Sequence, residues 1–222
     1  MRRTVLYPGA LAAGVALVVA VQAWPYPEFA RTTKATCAAC HSNVAGGADL
    51  TDPGKMFKAD RKKVPAKAVT GADYVGDGRC RGCHIDLHQS WQETRHARAL
   101  EYLAAAPDTA IAKMARVLKV KLKGRAELND ACVVCHVTGF RLAGGYPAAD
   151  SARTAVVASV SCEACHGPGS RHVTAPIAIK KQFINRNVTE ATCRSCHTAA
   201  TSPKFEFEDY KKRGVHALKT EG

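Results

Sequence analysis

Every cysteine in the chain belongs to a C-x-x-C pair, and every pair is followed at once by histidine. The five units are CAACH at 37–41, CRGCH at 80–84, CVVCH at 132–136, CEACH at 162–166 and CRSCH at 193–197. No cysteine is left over. With 9 histidines among 222 residues, five such placements by chance have a probability of about one in ten million, so the pattern is a motif.

A redox dithiol needs one C-x-x-C on a thioredoxin-like fold, not five. Zinc ribbons use four ligands per metal, and 10 cysteines do not divide by four. C-x-x-C-H is also the attachment signature of c-type haem. Each thiol adds to one vinyl group, and two intervening residues let both sulfurs reach one edge of the porphyrin. The next residue then falls over the iron and supplies the proximal imidazole. The expected cofactors are therefore five covalently bound haem c groups. They are attached at Cys37, Cys40, Cys80, Cys83, Cys132, Cys135, Cys162, Cys165, Cys193 and Cys196. The proximal iron ligands are His41, His84, His136, His166 and His197.

Haem c is attached outside the cytoplasmic membrane, and the N-terminus fits export. Arg2 and Arg3 precede an apolar run from Val5 to Val21, and Val21-Gln22-Ala23 makes an acceptable cleavage site before Trp24. Residues 1–23 read as a signal peptide, which places the mature chain in the periplasm. The run 5–21 is also near the lower limit for crossing a bilayer. An uncleaved anchor is thus the competing reading.

The formal charge of +13 invites a nucleic-acid partner, but the cofactors change the balance. Removing Arg2 and Arg3 with the signal leaves +11. Ten propionates bring about −10 and each ferric core about +1. The holoprotein then lies at about +1 reduced and about +6 oxidised, and nucleic acid is excluded. Lys119 to Lys123 and Lys211-Lys212-Arg213 read as propionate-neutralising or solvated segments, or as a docking face for an acidic redox partner.

Residues 24–73 form an N-terminal monohaem module, rich in Gly, Pro and Lys, read as loop with one short helix. Residues 74–222 hold the other four motifs. KATCAACHS at 34–42 and EATCRSCHT at 190–198 resemble each other. The pattern predicts a helix from Cys80 to Ala106, stopping before Pro107. A second runs from an N-cap at Asp108 to Gly124, with Ile111, Met114, Leu118 and Leu122 on one face. Thr154 to Val160 is a weak strand candidate. About 40 residues per haem cannot build an ordinary core. The expected fold is mainly α with extensive loops and little or no β, wrapped around a packed haem array that serves as the core.

Four histidines lie outside the motifs: His88, His96, His172 and His216. Five irons compete for them, so histidine of this chain cannot close every sixth position. On a continuous helix His96 would sit about 120° around from His84 and roughly 18 Å along, which gives it to a different haem. Trp91 would pack on the first ring. His88 has two readings, a ligand of the N-terminal haem or a hydrogen-bonding neighbour of a propionate. After His166, Gly-Pro-Gly at 167–169 turns the chain away. His172 should therefore serve the next haem.

Residues DYVGDGRCRGCHIDLHQSWQETRHARAL, CVVCHVTGF, Gly144-Gly145-Tyr146, VSCEACHGPGSRH and the tail CRSCHTAATSPKFEFEDYKKRGVHA resemble the tetrahaem cytochrome c-554 family. The likeness spans about residues 73–217 and leaves the CAACH segment outside. It implies that His96 is distal to the haem held by His166, and His172 to the haem held by His197. It also implies that the haem of His136 can be five-coordinate. In the family the first haem takes its distal histidine from the segment before CEACH. Residues 137–165 here contain none, and His216 is assigned to the haem of His84 instead. The N-terminal haem is left with His88 or Met56.

The resulting expectation is an electron carrier with mostly bis-histidine haems, exchanging electrons with redox partner proteins. Three alternatives stand beside it. One is an enzyme acting on a small nitrogen compound at a five-coordinate haem, although no C-x-x-C-K unit is present. Another is a membrane-anchored quinol dehydrogenase. The last is a subunit of an extracellular haem filament, in which a neighbouring copy completes an iron.

Overall fold

The computed structural model describes residues 28–65 and 71–217. The expected export segment and the apolar run 5–21 lie outside them. Thirteen short helices and three 3-10 turns carry the chain, and one isolated bridge, His41 to Leu50, is the only β pairing among the described residues. The expectation of a mainly helical, loop-rich fold with little or no β is met. No helix among the described residues is long and apolar enough to cross a membrane.

The N-terminal segment contains α1 (Glu28–Thr33), α2 (Cys37–Cys40) and α3 (Asp52–Ala59). It is more helical than its Gly, Pro and Lys content suggested. Thr51 explains α3: its hydroxyl accepts from Gly54 N at 3.2 Å, capping the first turn, and Pro53 needs no N–H partner there. Then follow α4 (Asp77–Arg81), α5 (Ile85–Gln92), α6 (Ala99–Ala104), α7 (Asp108–Leu118), α8 (Asp130–Val133) and α9 (Ser151–Ala155). The last four are α10 (Cys162–His166), α11 (Ser170–Thr174), α12 (Glu190–Arg194) and α13 (Phe207–Gly214).

The long helix expected over Cys80–Ala106 is broken into α4, α5, a 3-10 turn at His96–Arg98, and α6. Two local causes are visible. The CRGCH turn closes α4 at Gly82. The Thr94 hydroxyl donates to the Trp91 carbonyl at 2.7 Å, a local bond that competes with helix continuation. The second expected helix is shorter than the pattern suggested. It ends at Leu118, where Lys119 turns left-handed at φ 54°, and its N-cap is Pro107 rather than Asp108. The strand candidate 154–160 is the end of α9 and a turn, not a strand.

The side-chain core is small. Leu103, Ala126, Val133, Val137 and Phe140 form its buried cluster. A backbone seam surrounds it: Tyr74 N donates to Ala143 O at 2.9 Å and Tyr146 N to Thr138 O at 3.0 Å. Gly144, at φ 75°, lies so close to this seam that a Cβ there would come within 2.1 Å of the Tyr74 carbonyl oxygen. Only glycine admits that approach.

Candidate haem-binding site

All five Cys-x-x-Cys pairs lie wholly or partly on short helices: α2 and α10 start at their first cysteine, α8 and α12 start two and three residues before theirs, and α4 ends one residue after Cys80. The histidine N–H closes a turn on the first cysteine in CAACH, His41 on Cys37 at 2.8 Å, in CRGCH, His84 on Cys80 at 3.0 Å, and in CRSCH, His197 on Cys193 at 2.9 Å. One turn of helix therefore gathers two thiols and one imidazole on a common edge, the arrangement that thioether attachment plus axial ligation requires. None of the ten cysteines is paired in a disulfide.

The thiols also meet between motifs. Cys80 and Cys162 lie close enough to perturb each other, as do Cys135 and Cys196, and this proximity together with burial pushes Cys80 and Cys135 up. Cys165 is held up at about 12 by burial and by the charges of Cys193, Cys196 and Cys162. The four motifs after residue 74 thus form two close couples, 80 with 162 and 132 with 193, joined where Cys165 approaches Cys193.

Six imidazoles are arranged as three facing pairs. His84 and His172 have ring centroids 6.4 Å apart and planes 19° from parallel. His166 and His216 are 6.1 Å apart at 16°. His96 and His197 are 6.0 Å apart at 59°. Metal–imidazole bonds of about 2.0 Å, extended to the ring centres, place two axial histidines of one iron with centroids roughly 6 Å apart. The spacing is that of ligands on opposite faces of a single metal.

The other ring nitrogen is occupied in the way a ligand requires. Nδ1 of His166 donates to Asn185 O at 2.7 Å, Nδ1 of His172 to Lys180 O at 2.9 Å, and Nδ1 of His216 to Ala217 O at 2.9 Å. Nδ1 of His136 donates to Ala99 O at 2.8 Å, and that of His197 lies 2.9 Å from Ser202 Oγ. Such bonds fix the tautomer that leaves Nε2 unprotonated and make the ring a better donor to a metal. Burial keeps several rings neutral as well. His197 is lowered to about 4 by burial and by the charge of His96. His166, His96 and His41 are lowered mainly by burial. The residues present therefore fit haem iron.

The pairing departs from the expected one. His96 faces His197, not His166. His172 faces His84, not His197. His216 faces His166, not His84. The break in the helix after Gln92 redirects His96, and Val160 N holds the His96 carbonyl at 3.1 Å. The Gly-Pro-Gly turn does send His172 to another motif, but to CRGCH, two motifs earlier, rather than to the next one.

His88 stands outside these facing pairs. Its Nε2, the nitrogen a haem would need, lies 2.7 Å from Asp77 Oδ2, and the ring is buried against Trp91 with centroids 5.3 Å apart. His88 ties α5 to α4. Trp91 itself packs on His88 and donates Nε1 to Val160 O at 3.0 Å. Among the described residues no second imidazole faces His136. Beside His41, α3 lies against the CAACH turn, and Met56 on that helix is 52% exposed.

Glu163, the first x of CEACH, is a functional residue the motif reading missed. It is 2% exposed and accepts from Val75 N at 3.0 Å, Gly76 N at 2.8 Å and Gly169 N at 2.7 Å. Burial pushes its carboxyl up, and these three donors oppose that. The carboxylate clamps the entry to CRGCH onto the exit from CEACH. Its signal in the sequence was an acidic residue between two motif cysteines, which needs a partner if buried.

A family model described as cytochrome c554 and c-prime matches residues 79–167. The chain is 36% identical over 106 residues to cytochrome c-554 of Nitrosomonas europaea, a match covering 44% of this chain and 40% of that protein. The chain thus aligns with less than half of this curated relative's length. The solved structure of reduced cytochrome c554 from Nitrosomonas europaea is similar with a TM-score of 0.50 at 26% identity. That likeness covers 68% of this chain and 88% of the other.

Proposed function

We propose that the chain, whose residues 79–167 match the cytochrome c554 family model, is an exported pentahaem c-type cytochrome that relays electrons between redox partner proteins. The family implies covalently bound haem c. In this reading residues 74–222 hold four haems and residues 24–73 a fifth, attached through Cys37 and Cys40. His84 and His172, His166 and His216, and His197 and His96 are the axial pairs of three irons. His136 supplies one ligand to a fourth. Met56, on the helix against the CAACH turn, is the candidate sixth ligand for the haem of His41. Haem supplies the electron chemistry. The polypeptide fixes spacing, ligand tautomer and the polarity around each iron.

The observation that carries this reading is the set of three imidazole pairs at 6.0–6.4 Å. Bis-histidine ligation keeps potentials low, and closely coupled motifs bring successive haems together, as a relay needs. The thioether chemistry and the N-terminal export pattern support a periplasmic location. Mass spectrometry of matured protein should give the apoprotein mass plus five haems, and magnetic spectroscopy should count at least three bis-histidine irons. A mass gain of four haems would remove the N-terminal one, and fewer than three bis-histidine irons would overturn the ligand set.

A second reading rests on His136, which has no facing imidazole among the described residues. A small nitrogen compound could coordinate there. Binding of nitric oxide to one high-spin haem, followed by turnover, would support an enzymatic role.

A further inference from the structure

Three contacts from the N-terminal segment converge on the surroundings of His166. Asn43 Nδ2 donates to the Ile184 carbonyl at 3.1 Å, across 141 residues of sequence. The next carbonyl, that of Asn185, accepts from His166 Nδ1 at 2.7 Å. Gly167, immediately after His166 and at φ 78°, abuts Ala45 so tightly that a Cβ there would lie 1.8 Å from the Ala45 oxygen. A Cβ on Gly47 would in turn sit 3.5 Å from Asn185 Oδ1. Asn43 is itself held, because its Oδ1 accepts from Ala45 N at 2.9 Å in a local turn.

These contacts form a short mechanical chain. The turn at Asn43–Ala45 presents one amide donor to one carbonyl. That carbonyl belongs to the peptide linking Ile184 to Asn185, and the following carbonyl holds the ligand ring. A hydrogen bond on Nδ1–H increases the electron donation of the imidazole to a metal. Greater donation favours the ferric state and lowers the potential.

We propose that the N-terminal segment positions the His166 ligand: through Asn43 it holds the Ile184–Asn185 peptide against the His166 ring and so sets the potential of the haem that His166 binds. The proposal rests on the ligand assignment above. It gives the CAACH segment a role in the four-haem domain besides carrying its own haem, and it makes Asn43 a positioning residue for an iron attached more than a hundred residues later.

The test uses matured holoprotein and a potentiometric titration followed by electron paramagnetic resonance. N43S keeps the local turn, because a serine hydroxyl also accepts from the N–H two residues on, but it is too short to reach Ile184. N43T does the same should N43S fail to accumulate. N43Q retains an amide donor. The low-spin haem lost in H216A identifies the His166 iron. The expected result is an upward shift of that haem's midpoint in N43S, the other midpoints unmoved, and return toward wild type in N43Q. Unmoved midpoints in N43S, or a shift confined to a haem that survives H216A, overturn the proposal. A wild-type low-spin count in H216A would instead remove the ligand pairing on which it stands.

Discussion

The imidazoles of His166 and His216 face each other at 6.1 Å with their planes only 16° apart, although 50 residues of chain separate them. The approach is built from the tail. Ala217 N donates to Ser90 Oγ at 2.9 Å, which clips the segment after α13 onto α5. His216 Nδ1 then donates to the Ala217 carbonyl. A terminal segment with little apolar surface of its own is thereby fixed well enough to deliver a ligand.

Removing one facing histidine at a time should convert one iron at a time. H172A, H216A and H96A are each expected to lose one bis-histidine low-spin haem and gain one high-spin or water-ligated haem, with that haem's potential raised. Optical and magnetic spectroscopy of each matured variant checks this. A variant with an unchanged low-spin count removes its histidine from the ligand set.

The ring planes predict two spectral classes. Near-parallel imidazoles, as in His84 with His172 and His166 with His216, give rhombic low-spin signals. The 59° twist between His96 and His197 should give a more axial signal with a large maximal g-value. The oxidised protein is expected to show the two classes in a two-to-one ratio among its bis-histidine irons. H96A should abolish the axial one.

His88 should behave as a structural residue. H88A leaves Asp77 without its 2.7 Å partner in a buried setting, and is expected to cost about 1–3 kcal/mol. The low-spin count should equal that of the wild type. Thermal unfolding together with the same spectra separates the two effects, and a lost low-spin haem would return His88 to the ligands.

Glu163 should be intolerant of its own amide. In E163Q an NH2 group replaces one acceptor oxygen that faces backbone N–H groups of Val75, Gly76 or Gly169, and a destabilisation of about 1–3 kcal/mol is expected. Chemical denaturation of the holoprotein measures it. Equal stability would mean that the clamp contributes little.

The motif chemistry was legible in sequence because covalent attachment imposes a fixed local spacing. The ten cysteines and five proximal histidines are read from neighbours within five residues. The choice among His96, His172 and His216 was not legible in this way. For His96 it depends on where α5 stops, and the Thr94 hydroxyl donating to the Trp91 carbonyl marks that end through a hydrogen bond that no periodicity reveals. Asp77 and Glu163 escaped for a related reason. Their partners are a ring eleven residues away and three N–H groups from two distant loops, so their roles exist only once the loops meet. The small side-chain core, by contrast, followed from the ratio of residues to haems.

The contact between Cys80 and Cys162, and that between Cys135 and Cys196, bears on biogenesis. In an oxidising compartment, two reduced thiols brought together by folding are candidates for cross-linking. Either cross-link would consume a sulfur from two different motifs and leave both unable to accept a porphyrin. In the proposed reading, haem capture at these four cysteines therefore precedes the compact form that brings their sulfurs together.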